Sequence, residues 1–211
     1  MAKKQKLLKN LLTSVSVASI VASIGGSSGA FALNIGAGPN VYLDAVAGFA
    51  AGGPGDRELN FDYAGVTLTV NVAQDIADII TTEAGNIIIA ESMAITGRVV
   101  GPNSATATIN NNKTLTISAR DHEGLGAVTL NGADATLTLV DAATVHNTIK
   151  GAADGQGILN LGIGSTVNAE IGGVGNSLAT VAIGAGDVCL RALIVYLVGT
   201  QPYCCHSFIM I

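Results

Sequence analysis

The chain has no tryptophan, and its eight phenylalanines and tyrosines are only 4% of 211 residues. A membrane barrel needs strands of about 9–11 residues and aromatic girdles at both interfaces, so this composition argues against one. Charge is scarce as well. Asp, Glu, Lys and Arg together make up 12%, and the formal net charge is −5. Four of the ten basic residues are Lys3, Lys4, Lys6 and Lys9, so the rest of the chain sets six basic residues against fifteen acidic ones. A phosphate-binding surface has the opposite sign, which argues against nucleic acid as a partner. Cysteine is missing from the body of the chain. Cys189, Cys204 and Cys205 all lie close to the C-terminus, which is not a disulfide framework. A cysteine-free body suits passage through an oxidising compartment. No apolar run approaches the ~18 residues of a membrane-spanning helix. Also missing are a GxSxG elbow, a phosphate-binding P-loop and an acidic nonapeptide repeat for calcium.

What the chain does have is a repeat. Thr136 to Gly184 reads TLTLVDAATVHNTIKGAADGQG, ILNLGIGSTVNAEIGGVGNSLA, TVAIG. Set out at a 22-residue offset, Leu137, Leu159 and Val181 coincide, as do Leu139, Leu161 and Ile183. Val145 falls above Val167 and Ile149 above Ile171, while Leu115 and Ile117 extend the pattern one unit back. The i, i+2 rhythm puts one face of each short strand inward. One unit cannot bury that face alone, but stacked units can, with backbone bonds running from rung to rung. The expected fold is all-β, a right-handed parallel β-helix, with roughly five rungs and about 20–25 Å of stack between Asn86 and Val188 at ~4.8 Å per strand. Corners fall at Gly101-Pro102-Asn103, Asn110-Asn111-Asn112, Asn131-Gly132 and Gly172-Gly173, residues that turn the chain readily.

Four segments follow from this reading. Residues 1–32 form an export signal, with a lysine head, an apolar core from Leu11 to Ile24 and small residues at Ala30 and Ala32 for cleavage before Leu33. The Sec export machinery is the implied partner. Residues 33–85 form a Gly-rich lead-in, a Val66–Val70 strand and a cap. Val72, Ile76, Ile79 and Ile80 take helical spacing, with Asn71 as N-cap and Gly85 as stop, so a short capping helix is expected over 71–82. Such a cap would cover the open end of the solenoid. Residues 86–186 are the repeats. Residues 187–211 form a tail of different character, in which Ile194 and Val195 replace the turn glycines of the preceding unit. Its run Leu193–Val198 reads as a buried strand or an aggregation-prone segment, and the switch looks like a change of reading frame or a degraded gene.

The densest ionisable cluster is Asp121-His122-Glu123. A glycan-cleaving β-helix needs at least two carboxylates converging on a groove. Three adjacent residues next to Arg120 read instead as a solvated turn. His146 aligns with Asn168 and is expected to point outward. His206 beside Cys204 and Cys205 does not have zinc spacing. No catalytic, cofactor-binding or metal-binding residue is assigned. A β-helical enzyme acting on polysaccharide remains the alternative function.

The lysine-headed signal with its AFA site, the segment LTVNVAQDIADIITTEAG, and above all GNSLATVAIGAG (Gly175 to Gly186) carry a family resemblance. Residues 1–186 resemble the N-terminal passenger region of rickettsial surface antigens of the autotransporter type. The resemblance implies an exported β-helical passenger, a cell-surface location, adhesion to a host-cell surface receptor and no catalysis. It does not extend over Asp187 to Ile211, where no strands for an outer-membrane barrel follow. The expectation for this chain is therefore a truncated adhesin fragment, held in the periplasm or released.

Overall fold

The computed structural model describes residues 31–35, 40–42, 57–118, 120–184 and 189–190. Within them the fold is a parallel β-helix with three walls. The first wall holds β2 (Asn40–Tyr42), β4 (Thr67–Val70), β6 (Gly85–Ile89), β9 (Ala105–Asn110), β12 (Leu125–Asn131) and β15 (Ile149–Gly151). The second holds β7 (Met93–Ile95), β10 (Thr114–Ile117), β13 (Thr136–Leu139), β16 (Ile158–Leu161) and β18 (Thr180–Ile183). The third is made of two sheets end to end. One is β1 (Phe31–Ile35), β3 (Arg57–Phe61), β5 (Asp78–Thr81) and β8 (Val99–Val100). The other is β11 (Asp121–His122), β14 (Thr144–Val145), β17 (Thr166–Val167) and β19 (Cys189–Leu190). The chain visits the walls in turn, and the strand pairs within each wall are parallel.

Side-chain alternation builds the core. Strands β4, β5, β10, β13 and β16 all alternate half-buried and buried positions. In the second wall Met93, Leu115, Leu137, Leu159 and Val181 pair in strict register. The expected ladder of Leu115, Leu137, Leu159 and Val181 is therefore present. Leu137 and Leu159 are fully buried. Like residues stacked at one spacing fill a narrow interior without large aromatics. Among the described residues Phe61 is the one aromatic of the largest fully buried side chains, the rest being Ile and Leu. This accounts for a composition so poor in aromatics.

The capping helix over 71–82 does not form. Asp78–Thr81 is β5, and Ile76 makes a parallel bridge to Ile95. The helix-like spacing arises from a tight corner. Ile76 ends one wall and Ile79 begins the next, and both are fully buried. Two inward residues on either side of a corner fall three apart, as on a helix face, while the β-branched Ile79, Ile80 and Thr81 favour an extended backbone. The lead-in is part of the stack as well: β4 pairs with β6 and β3 with β5. The sheet also runs beyond 186, since β19 pairs with β17. Most of the expected export signal and tail lie outside the described residues. Phe31 and Ala32, at the expected cleavage site, open β1 and pair with Arg57 and Glu58.

Polar side chains continue the rung-to-rung bonding where the backbone turns away from it. Asp75 Oδ1 accepts from Ala94 N–H (3.0 Å), Asn111 Oδ1 from Asp134 N–H (3.1 Å), and Asp141 Oδ1 from Ile163 N–H (2.8 Å). In the other direction, Ser165 Oγ donates to Val140 C=O (2.9 Å) and Asn147 Nδ2 to Leu125 C=O (2.8 Å). Asp75 and Asp141 thus serve the corners. One corner is strained: Ala142 holds φ +60°, where the next rung has Gly164 at φ +71°. A side chain there costs about 1 kcal/mol.

Two outcomes test the stack. Leu159→Ala should lower the unfolding free energy by about 2–5 kcal/mol, and Leu159→Asp should prevent folding. Ala142→Gly should raise stability by up to about 1 kcal/mol by relieving the left-handed backbone. Urea melts read both, and an unchanged midpoint for Leu159→Asp would contradict the ladder.

Candidate functional site

The ionisable cluster at 121–123 is a solvated turn only in part: Glu123 is exposed in a turn, but the two residues before it form a strand. Asp121 and His122 form β11, whose register sets Asp121 beside Thr144 and His122 beside Val145. Alternation then sends Asp121 and Glu123 outward and His122 inward, where it is fully buried. An imidazole so occupies a site that Ile79, Val99, Val145 and Val167 fill on other rungs of the same wall.

Its hydrogen bonds fix the tautomer. Val99 N–H can only donate, and it lies 3.3 Å from His122 Nδ1, so Nδ1 carries no proton. Nε2 then holds the hydrogen and donates to Ser118 C=O at 3.1 Å. Burial lowers the His122 pKa below its ordinary 6.5, against the opposing pull of the Ser118 carbonyl and of the Asp121 and Asp78 carboxylates. The ring is neutral and both its nitrogens are engaged.

On the outside of the same wall the structure joins Asp121 to His146 across one rung. His146 Nε2 meets Asp121 Oδ1 at 2.5 Å, and Asn168 Nδ2 lies 3.3 Å from His146 Nδ1. His146 points outward, as the repeat implies, but it is a link in a polar ladder over three rungs rather than a free side chain. Both ring nitrogens have a polar partner.

A shallow groove crosses the outside of the second wall near its last described rung, and it gathers no pair of carboxylates among the described residues. Thr138, Asn160 and Ala182 line its floor, and Asp141, Gly162 and Gly184 its corner. Asp141 is the one carboxylate there, and its Oδ1 is taken by Ile163 N–H. Asp154 lies farther along, and Ser177 donates to it from both its N–H (3.0 Å) and its hydroxyl (2.8 Å). These two bonds hold the Asp154 carboxyl below the usual carboxylate range. Among the described residues no group of three or more His, Cys, Asp or Glu could hold a metal ion. Cys204, Cys205 and His206 lie outside them.

Two curated proteins match the sequence. One, outer membrane protein A of Rickettsia rickettsii, is 30% identical over 225 aligned positions, which cover 90% of this chain. The chain is similar to rickettsial outer membrane protein A. The same protein of Rickettsia conorii is 38% identical over 77 residues, 36% of this chain. The aligned parts span 10% and 4% of these relatives, so the chain corresponds to a small portion of rickettsial outer membrane protein A. No protein-family profile and no solved structure matches it. Among the described residues no helix is long and apolar enough to cross a membrane.

The Asp154 arrangement has a signed pH consequence. A carboxyl whose pKa is depressed on folding stabilises the fold above its unfolded value of 3.8, and this contribution is lost as pH falls through the folded value. Ser177→Ala removes the hydroxyl donor. It should move the Asp154 carboxyl resonance to titrate closer to 3.8 in an NMR titration, and an unchanged titration would contradict the assignment.

Proposed function

We propose that this chain is an exported β-helical passenger segment of a surface antigen, and that its role is adhesion to a host-cell surface receptor rather than catalysis. The observation that carries this reading is the similarity to rickettsial outer membrane protein A over 90% of the chain. The geometry agrees with it. The interior is a narrow, filled core, so binding falls to the outer walls, which carry threonine and asparagine in register. Thr116 pairs with Thr138, and Thr138 with Asn160. An extended wall of repeated polar side chains suits recognition of another surface, as solenoid faces commonly do. The lysine-headed leader, acting through the Sec machinery, would supply export. The engaged imidazoles and the single carboxylate of the groove give no support to the alternative of a polysaccharide-acting enzyme.

The test is binding of the fluorescently labelled full chain to cultured host cells. Saturable binding that excess unlabelled chain displaces, and that protease treatment of the host cells removes, is expected. Binding that neither saturates nor competes would contradict an adhesive role, and release of new reducing ends from host glycans would favour the enzyme.

A further inference from the structure

The third wall has one irregular junction, between β8 and β11. One rung back, the N–H of Ile79 donates to a backbone carbonyl of the next rung, that of Arg98, at 2.8 Å. At the equivalent ladder position the N–H of Val99 meets the His122 imidazole instead. A side-chain nitrogen stands where a peptide carbonyl stands elsewhere, and here the wall divides into two sheets. We propose that this junction is an acid-sensitive seam: protonating His122 breaks the bond from Val99 and opens the third wall between two rungs, while the first and second walls stay paired.

The geometry explains why a proton cannot be accommodated in place. His122 Nε2 already bears hydrogen, so a second proton must go to Nδ1. There it would point at the Val99 N–H, setting two donors against each other 3.3 Å apart. The ring is fully buried between apolar ladder residues, so the cation must lose the contact or leave the core. The groups around it pull in both directions. The Asp121 carboxylate on the same strand and that of Asp78 on β5 favour the cation, and His146, beyond β14, opposes it. Arg98, Arg120 and Glu123 flank the two strands in sequence. Burial is the largest effect and keeps the ring neutral. The sign follows. The unfolded or opened chain takes up the proton at about 6.5, and the closed seam does so only at lower pH. The seam is therefore fully stable above that value and weakens as pH falls below it.

Among the described residues, Gly124 N–H still donates to Val99 C=O across the junction at 2.9 Å, and Ser118 Oγ donates to Gly97 C=O at the corner that precedes it. A Cβ at Gly124 would come within 2.7 Å of Thr81 Oγ1 and 2.8 Å of the Val100 carbonyl carbon. The strands therefore meet closely at Gly124, which has no side chain to bridge a gap once Val99 is released. The first wall is continuous past the junction through β9 and β12, and the second through β7 and β10, so opening is confined to one side.

Amide hydrogen exchange by NMR on the full chain, corrected for intrinsic rates, reads the seam directly. Between about pH 7.5 and about pH 5, protection of the Val99 amide should fall about tenfold or more, starting near 6.5, where the opened histidine takes up its proton, and the His122 ring resonances should titrate at lower pH. The amides of Val140 and Ile149, bonded to Ile117 and Glu170 in regular wall, should keep their protection. In His122→Asn, the amide oxygen can accept from Val99 but does not titrate, so the pH dependence should vanish. The wild-type curves decide the matter even if that variant does not fold. Unchanged Val99 protection, loss of protection at all three amides together, or a pH dependence that persists in His122→Asn would each overturn the proposal.

Discussion

In-register parallel hydrogen bonding between successive rungs is the constraint from which the rest follows. Each rung offers its N–H and C=O groups to the next, so the same residue type recurs at the same ladder position, as with Leu115, Leu137 and Leu159. The backbone cannot keep this bonding through the corners. Asp75, Asn111, Asp141 and Asp154 supply it there with side-chain oxygens aimed at the next turn. Core, corners and charge distribution are thus one arrangement. Four of the described carboxylates, Asp75, Asp78, Asp141 and Asp154, are spent on backbone amides one rung on.

Where the spacing between rungs is constant, the fold is legible in the sequence. From Leu115 through Leu137 and Leu159 to Val181 the second wall repeats at one fixed offset, and periodicity alone gives the right ladder. Earlier rungs are shorter. Leu68 pairs with Ile87 and Ile87 with Ala107, offsets of 19 and 20. A comparison at the longer, fixed offset therefore misses them, and the stretch around Ile76 and Ile79 imitates a helix at a corner. The same irregularity hides His122. Its partner in the wall is Val145, one position beyond Thr144, where the fixed offset would have placed it. Only the outward–inward order of Asp121 and His122, read as strand rather than turn, would have revealed a histidine among the ladder valines. The contact between His146 and Asp121 is likewise invisible in the sequence, because it joins residues 25 apart across a junction of unequal corners.

Apolar ladders line the described interior of the solenoid, and the polar side chains of β10, β13 and β16 lie on its outer side. At the last described rung of the second wall, the ladder positions Val181 and Ile183 are only partly covered, and Ile183 is 39% exposed. The aligned part spans 10% of the Rickettsia rickettsii protein. A stack of this kind can be extended one rung at a time without change to the rungs already built, because each rung contacts only its neighbours.

The most direct test of the stacked register places spin-label pairs on the outside of the second wall, with Cys189, Cys204 and Cys205 replaced by serine. Labels at Thr138 and Asn160, on adjacent rungs about 5 Å apart, should broaden each other's spectra strongly, and a Thr116 and Asn160 pair at about 10 Å more weakly. Thr138 paired with Thr129, on a different wall, should show less broadening than Thr138 with Asn160. Broadening that ranks in this order is the result predicted by a three-walled parallel β-helix. No broadening between Thr138 and Asn160 would contradict it.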